Sequence, residues 1–420
     1  MVYRKVKKEA MSKCERYVSL FHHTPGEMHE IEERYYQMNQ NLLKLLGLWP
    51  YQQSYFTLIR KVLFLGILSG YVIAQLLSFL TMQFSVSLLL KILTYVGPTF
   101  FVIIKYCIFI IKADNVKLLL ERIRDDWNLL KGKLEIDIIK KYASSVRLIS
   151  MIAIIVCHFD ILCYIILEHL PLLLDVILPL NKSRTLKSIA ITEYFVTREK
   201  YIWVTLLHEI IAIYIRVITL CCTGITMMMY ILHACALFKI ASCRIENAIQ
   251  ENVLAIPNPV KEYLLQQRIA HAVLIHRRAI AYVELWISSF TVTLTILILI
   301  GICSLSVNLF HLFQVLTVST DFVELYAVFV SVVAHFSYMF VINYGGEIMQ
   351  NHGMQVFEAT YNGLWYAAPP RTQKLILFVL QRAIVKVNLT CGHMFIASLE
   401  GFLTLTSSAL SYFAVIYSTR

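Results

Sequence analysis

Seven apolar stretches, each long enough to cross a bilayer as a helix, follow one another along the chain. About 20 apolar residues are needed to span the roughly 30 Å of hydrocarbon in a membrane. The stretches that meet this length are 58–81, 86–111, 147–168, 202–236, 285–309, 322–344 and 391–418. The pattern predicts an all-α membrane protein with seven transmembrane helices.

The fourth and fifth stretches continue as helical patterns beyond the length that a bilayer requires. The fourth runs on through Lys239 and Arg244, and a helical pattern that begins at Lys261 leads into the fifth. Charged side chains are costly in hydrocarbon, so these continuations are expected outside the membrane. They predict a helical domain on the cytoplasmic side.

Glycine and proline interrupt the chain after the sixth stretch. Gly345-Gly346 are expected to loosen the backbone, and Pro369-Pro370 to stop any helix before them. Gly392 is expected to separate the next helix from the last apolar stretch. The region between the sixth and seventh stretches is therefore predicted to be a link with one helix of its own.

That helix has a basic amphipathic pattern. Thr372 stands where its hydroxyl can cap the amino end of the helix. Lys374, Arg382 and Lys386 interrupt an otherwise apolar run. Lys386 follows Arg382 by one turn, so the two are expected on one face.

The last apolar stretch carries a narrow stripe of mostly small polar residues, which recur at alternating spacings of four and three and therefore share one helical face. Such a stripe can line a water-filled pore shared by several copies of a chain. It can equally allow close packing of helices in lipid. The spacing alone does not distinguish the pore interpretation from the packing interpretation. The stripe consists of Thr404, Ser408, Ser411, Val415 and Ser418.

Composition supports a membrane protein and excludes a soluble one. Of the 420 residues, 58% are hydrophobic and 15% are charged, and the mean hydropathy is +0.65. The net charge of +11 is concentrated in particular loops, which indicates membrane orientation rather than nucleic-acid binding. No apolar run precedes Leu58, so the first membrane helix is expected to act as the insertion signal.

Lysine and arginine are unequally divided between the two sides. Segments 1–57, 112–146, 237–284 and 345–390 hold 8, 8, 6 and 4 of them, and the alternate segments hold 0, 5 and 0. The positive-inside rule then places the amino terminus in the cytoplasm and the carboxyl terminus outside. A glycosylation sequon at Asn181 falls in a loop that this orientation places outside.

Several ionisable residues lie within the apolar stretches, where they are candidate functional sites. Glu209 and Arg216 are seven residues apart on similar faces, so an ion pair between helices is the simpler interpretation of these two. We find no metal-ligand constellation, no cofactor motif and no enzyme motif. The ionisable residues are Asp160, Glu168, Glu209, Arg216, Glu324 and Glu400.

The predicted outer halves of the second, third, fourth and sixth spans carry mainly aromatic residues that could face a cavity. An apolar cavity with few polar groups suits a small lipophilic ligand. The same residues could instead pack the bundle or lie in an interfacial belt. The candidates are Tyr95, Phe159, Cys163, Tyr164, Trp203, Tyr214, Tyr326 and Phe329.

The carboxyl-terminal part resembles the insect odorant receptor family, and the predicted topology agrees with that family over the whole chain. The Ser-Leu-Glu-Gly-Phe form is similar to the expanded receptors of ants, bees and wasps. The link between the fourth and fifth spans is too short for the co-receptor's insertion, so the chain resembles a tuning receptor. The signature reads Tyr361, Trp365-Tyr366, Lys374, Arg382, Leu389-Thr390, Gly392, Ser398-Leu399-Glu400-Gly401-Phe402 and Ser411-Tyr412-Phe413.

This resemblance implies an odorant-gated, non-selective cation channel in the plasma membrane of olfactory sensory neurons. It implies a heterotetramer with a shared co-receptor, and a small lipophilic odorant or pheromone, such as a cuticular hydrocarbon, as ligand. Residues of a cytoplasmic anchor would be Tyr361, Trp365, Lys374, Arg382 and Gly392, and Val415 would constrict the pore. A gustatory-like chemoreceptor, or a receptor that signals through a cytoplasmic partner without conducting, is the alternative.

The resemblance also divides the chain into four segments. Residues 1–57 would be a cytoplasmic amino-terminal segment, and residues 58–344 would hold the first six spans with their extensions. Residues 345–390 would form the cytoplasmic link and anchor helix. Residues 391–420 would form the helix that lines the pore.

Overall fold

Seven helices of the computed structural model are long and apolar enough to cross a membrane. The structure describes residues 25–178, 190–195, 198–258, 260–318, 322–392 and 395–418. The predicted all-α class and the predicted number of spans are confirmed for these residues. Asn181 lies outside them, and the orientation of the two termini remains a prediction.

Twelve helices and one short hairpin make up the described chain. The helices are α1 (Pro25–Leu45), α2 (Tyr55–Thr81), α3 (Val86–Ile111), α4 (Ala113–Leu129), α5 (Lys133–Glu168), α6 (Leu170–Ile177), α7 (Arg198–Ala248), α8 (Glu251–Leu254), α9 (Val260–Val318), α10 (Phe322–Asn362), α11 (Pro370–Ala383) and α12 (Leu399–Ser418). The candidate membrane spans are α2, α3, α5, α7, α9, α10 and α12. A turn of 3-10 helix, Trp365–Ala367, precedes α11, and the antiparallel strands β1 (Thr390–Cys391) and β2 (Phe395–Ile396) precede α12.

Serine caps fix where the first two spans begin. The Oγ of Ser54 accepts a hydrogen bond from the backbone N–H of Thr57 at 3.2 Å. The Oγ of Ser85 accepts one from the N–H of Leu88 at 3.1 Å. Each cap satisfies a donor that the first helical turn leaves unpaired.

The long helices predicted for the fourth and fifth spans are present as α7 and α9. The sixth span differs from its prediction, because α10 continues as an unbroken helix through Gly345 and Gly346 to Asn362. The glycines therefore do not loosen the backbone. Because they have no side chain, neighbouring segments pack closely against α10 at these two positions instead.

The basic helix and the last span also differ in detail. Helix α11 begins at Pro370 without a side-chain cap, so the predicted cap at Thr372 is wrong. It ends at Ala383, so Lys386 lies beyond it and does not share a helical face with Arg382. The last span begins at Leu399, after the hairpin, rather than at residue 391.

Helix α7 forms the centre of the bundle. It packs against α5, α9 and α10, and 61% of its most apolar window is buried, against 39% or less for the other six spans. Tyr230 and Phe238, on its second half, are fully buried in the main core. The extensions of α7 and α9 are thus parts of one packed domain with α4 and α5.

A buried charge network joins α4, α7 and α9 in this domain. Asp126 is only 2% exposed. Its Oδ1 accepts a hydrogen bond from the Nε of Arg278 at 2.5 Å, and its Oδ2 lies 3.0 Å from the Nε2 of His233. Because a carboxylate only accepts hydrogen bonds, the Nε2 of His233 carries the donated proton. The three side chains cross-link three helices.

Two glycines let the hairpin region approach α10 and α12 closely. A methyl group on Gly346 would overlap the carbonyl oxygen of Ala397, and one on Gly401 would overlap that of Ile396. Ala397 cannot move away easily, because its N–H donates to the carbonyl of Leu389 at 2.9 Å. Its carbonyl also accepts from the side chain of Gln350 at 3.3 Å. The contact is therefore fixed by hydrogen bonds from both sides.

We expect Gly346→Ala to destabilise the protein even though alanine favours a helix by about 1 kcal/mol over glycine. Overpacking typically costs about 1–3 kcal/mol, and here the clash is with backbone. The control is Gly66→Ala, because a methyl group there meets nothing within 4 Å. Thermal unfolding in detergent should show a lower midpoint for Gly346→Ala and an equal or higher one for Gly66→Ala. Equal midpoints for the two variants would contradict the close approach.

Candidate functional site

An elongated cavity of about 210 Å³ lies between α3, α5, α7, α9 and α10. Along α10 its wall runs from Tyr326 to Asn343, which is about 25 Å of helix. At one end, called the aromatic end, it is bordered by Tyr164 and Tyr326. At the other end, called the hairpin end, it reaches Ala397, which follows β2, and Leu405 of α12. Most of its surface is apolar, as is typical of sites for small organic ligands.

Three of the eight predicted ligand residues line this cavity, namely Tyr95, Tyr164 and Tyr326. The hydroxyl of Tyr164 donates to Oε1 of Glu209 at 3.0 Å. The hydroxyl of Tyr326 donates to Oδ1 of Asp160 at 3.2 Å. These bonds orient the two rings at the aromatic end, and ligand contact remains a prediction for all three residues.

The other five predicted ligand residues do not line the cavity: Phe159, Cys163, Trp203, Tyr214 and Phe329. Phe159, Trp203 and Phe329 are each more than half exposed on the outside of the bundle. They were predicted mainly because they are aromatic. Aromatic character does not distinguish a residue that faces the cavity from one that faces lipid, since both environments are apolar.

Sequence reasoning missed Phe101, Tyr338 and His335 in the cavity wall. Phe101 and Tyr338 meet edge to face, with ring centroids 5.8 Å apart. The side chain of Lys105 caps this pair by contacting the Tyr338 hydroxyl and ring. The position of Lys105 within an apolar stretch could have indicated this cluster, because a buried cation needs partners on a neighbouring helix.

The intramembrane charges Asp160 and Arg216 also line the cavity. Arg216 donates from Nη1 to the hydroxyl of Thr99 at 3.3 Å. Glu209, its expected ion-pair partner, instead accepts from Tyr164. Glu324 lies outside the cavity and binds Lys91 and His311 of two neighbouring helices.

At its hairpin end the cavity meets the start of α12. The side-chain oxygen of Asn343 accepts from the N–H of Ser398 at 3.2 Å. Gly392, with φ of +59°, turns the hairpin, and its N–H donates to Thr291 at 3.0 Å. Burial raises the pKa of the Cys391 thiol to about 11, so this thiol is neutral at ordinary pH. The hairpin thus ties α9, α10 and α12 together beneath the cavity.

The predicted pore stripe lies on the side of α12 that faces away from its own bundle. Thr404, Ser411, Val415 and Ser418 are exposed and Ser408 is half-buried, whereas the buried residues of α12 are Gly401, Leu405 and Ala409. Each of the four hydroxyls donates to a backbone carbonyl of the same helix. Among the described residues, the hydroxyls of the stripe are therefore bonded within α12 itself, and most of the stripe stays exposed.

The predicted anchor residues are spread along the region from the end of α10 to the hairpin. The Nε1 of Trp365 donates to the carbonyl of Tyr361 at 3.0 Å, which closes the turn after α10. Lys374 and Arg382 are exposed on α11. Helix α11 buries a face that includes Ile376 and leaves large apolar residues exposed on the rest of its surface. Those of α11 and the segment after it are Leu375, Leu377, Phe378, Ile384 and Val385.

No group of three or more His, Cys, Asp or Glu residues that could hold a metal ion occurs in the described ranges. Several histidines are instead hydrogen-bonded to protein groups. The Nε2 of His335, for example, lies 2.9 Å from the hydroxyl of Ser304, and its Nδ1 lies 2.7 Å from the carbonyl of Ser331.

Comparison with known proteins identifies a family and a fold. The family model described as 7tm Odorant receptor matches residues 85–410. The olfactory receptor OR5 of Machilis hrabei in complex with eugenol superposes with a TM-score of 0.74 at 14% identity, covering 94% of this chain and 100% of that one. A second structure of the same receptor gives a TM-score of 0.72 with the same identity and coverage. A search of curated proteins finds no match.

Proposed function

Because the chain belongs to the 7tm odorant receptor family, we propose that it is a subunit of an odorant-gated, non-selective cation channel. Family membership and the seven spans make it an odorant receptor and a multi-pass membrane protein. The finer proposal is that it assembles with a shared co-receptor as a heterotetramer in the plasma membrane of olfactory sensory neurons. Channel function distinguishes this proposal from a receptor that signals through a cytoplasmic partner.

The observation that carries the proposal is the continuity between the cavity and α12. Leu405 lines the cavity from one side of α12, while the stripe with Thr404 and Ser408 lies on another side of the same helix. A ligand that fills the cavity therefore contacts α12, and the exposed polar side of α12 can contact other subunits. Gating follows if the ligand binds more tightly to the state in which the α12 helices stand further apart.

The residues of the aromatic end and the pore stripe take their roles from this proposal. Tyr95, Tyr164 and Tyr326 contact the ligand, and Val415 forms the constriction, with Ser418 beside it. The structure of a relative with eugenol supports a small organic ligand in this fold. Exposed apolar residues of α11, such as Phe378, support an anchor surface that packs against other subunits.

Ligand-evoked current in cells without functional G proteins tests the proposal. The chain is expressed with an odorant co-receptor, surface delivery is measured with an epitope tag, and a broad odorant panel is applied. Currents that depend on both subunits and persist without G proteins are expected. Responses that disappear with the G proteins would favour a receptor that acts through a cytoplasmic partner.

Filling the cavity should separate the ligand site from the rest of the channel. Ala327→Trp places a bulky ring in the cavity wall, and we expect it to raise the half-maximal odorant concentration at least tenfold. Val333→Trp, on the exposed side of the same helix, is the matched control and should leave the response unchanged. Both variants are compared at equal surface delivery. Equal responses would show that odorants bind elsewhere.

A further inference from the structure

Two opposite charges face the same cavity without touching each other. Asp160 on α5 and Arg216 on α7 both line it, and Asp160 binds Tyr326 at the aromatic end. In the part of the chain that the structure describes, no ion pair within 4.0 Å joins them. A space between a hydrogen-bond donor and an acceptor is therefore built into an apolar cavity.

Several other polar groups of the wall are hydrogen-bonded to protein groups. His335 uses both ring nitrogens, Tyr164 donates to Glu209, and Asn343 binds Met339 and Ser398. Arg216 differs, because a guanidinium has five N–H donors and the bond to Thr99, at 3.3 Å, is the one it makes among the described residues. Its remaining donors are available to a molecule in the cavity.

Asp160 offers the complementary group. One of its oxygens accepts from the Tyr326 hydroxyl at 3.2 Å, and an ionised carboxylate has capacity for further bonds on its second oxygen. A group placed between the two side chains can thus accept from Arg216 and donate to Asp160. A hydroxyl is the smallest organic group that does both.

We propose that the cognate ligand is a hydroxylated lipophilic molecule, an alcohol or phenol, whose hydroxyl binds between Arg216 and Asp160. This inference rests on the proposed function and specifies its ligand class. A hydrocarbon would exclude water from both charges and give them no partner, which is costly in an apolar cavity. A carboxylate would bind Arg216 and be repelled by Asp160, whereas an amine would be repelled by Arg216.

The shape of the cavity specifies the rest of the molecule. A volume of about 210 Å³ that follows α10 from Tyr326 to Asn343 is narrow for its length. Its wall beyond the charged pair includes Leu297, Ile298 and Ile342. A slender hydrocarbon chain fits there and extends toward α12.

The test compares straight-chain probes that differ in one end group. Alkanols, aldehydes, carboxylates and alkanes with chains from butyl to dodecyl are applied to the wild-type receptor with its co-receptor. At matched chain length, the alkanol should act at a concentration about 10- to 100-fold lower than the alkane, as expected for a hydrogen bond to a charged group. Alkanes that equal or exceed the alkanols would overturn the inference, and so would silence of every alkanol in the series.

Variants assign the effect to the two side chains. Arg216→Met and Asp160→Asn should each reduce the advantage of alkanol over alkane about tenfold or more, while alkane responses persist. Arg147→Met and Asp137→Asn make the same chemical changes at exposed positions outside the cavity and should preserve the advantage. An advantage that survives in both cavity variants would contradict the assignment. The wild-type series decides the ligand class even where a variant fails to reach the surface.

Failure of this inference is distinct from failure of the proposed function. If hydrocarbons, terpenes or other panel members evoke current and alkanols do not, the channel proposal stands and the hydroxyl site is wrong. If no compound of the broad panel evokes current from surface-delivered subunits, the channel proposal itself is contradicted.

Discussion

Replacing Asp126 with alanine is expected to destabilise the protein by about 3–5 kcal/mol, the cost of removing one partner from a buried ion pair. The change leaves the side chains of Arg278 and His233 without the carboxylate that both contact. The His233 side chain is 1% exposed, so it loses its hydrogen-bond partner without gaining water. The Arg278 side chain is 26% exposed, so water can replace part of its lost interaction. We therefore expect the lower end of the range.

The chain provides a matched control one residue away. Asp125 is exposed on the same helix, so Asp125→Ala removes the same charge from the same helix without breaking the network. Thermal unfolding of both variants is measured in detergent, with size-exclusion chromatography of a fluorescent fusion as the readout. Asp126→Asn should fall between wild type and Asp126→Ala, because an amide oxygen can still accept from Arg278. If Asp125→Ala and Asp126→Ala unfold at the same temperature, the network does not stabilise the domain.

Attaching a positive charge at Val415 is expected to suppress most of the cation current. Val415 is 57% exposed on the polar side of α12. A fixed charge repels a permeating cation by about 4 kcal/mol at 4 Å when the effective dielectric constant is about 20. The experiment uses Val415→Cys and a thiol reagent that carries a trimethylammonium group, applied to either side while current is recorded. Because the current is measured before and after modification, folding and surface delivery do not affect the comparison.

Leu410→Cys is the control for the side of the helix. Leu410 is 47% exposed and lies outside the stripe, where lipid or a neighbouring helix is expected. Its current should not change on modification, and the wild-type chain with its natural cysteines gives the baseline. Val415→Cys current that is unchanged by the reagent would place the ion path elsewhere.

The positions and approximate lengths of the spans could be predicted because they depend on local properties. Hydropathy and length decide whether a segment crosses a bilayer, and both can be read from the segment itself. The long extensions of α7 and α9 followed from the same local pattern. The polar stripe of α12 was equally local, since spacing alone places Thr404 and Ser411 on one side.

The cavity could be predicted only in part. Tyr95, Tyr164 and Tyr326 line it, but Phe159, Trp203 and Phe329 on the same or neighbouring helices do not. In a soluble protein the polar side of a helix identifies the apolar side as core. In a membrane helix both sides are apolar, so periodicity gives little information about which side faces the bundle.

The sequence by itself determined seven apolar helices, two of them extended, and a final helix with one polar side. Only the tertiary structure decided which residues meet: the hairpin between α11 and α12, the use of Gly346 for close contact, and the cavity shared by Asp160 and Arg216. These features join residues far apart in the chain, and their energies come from contacts between helices. Hydropathy and spacing describe one helix at a time, so they carry no information about those contacts.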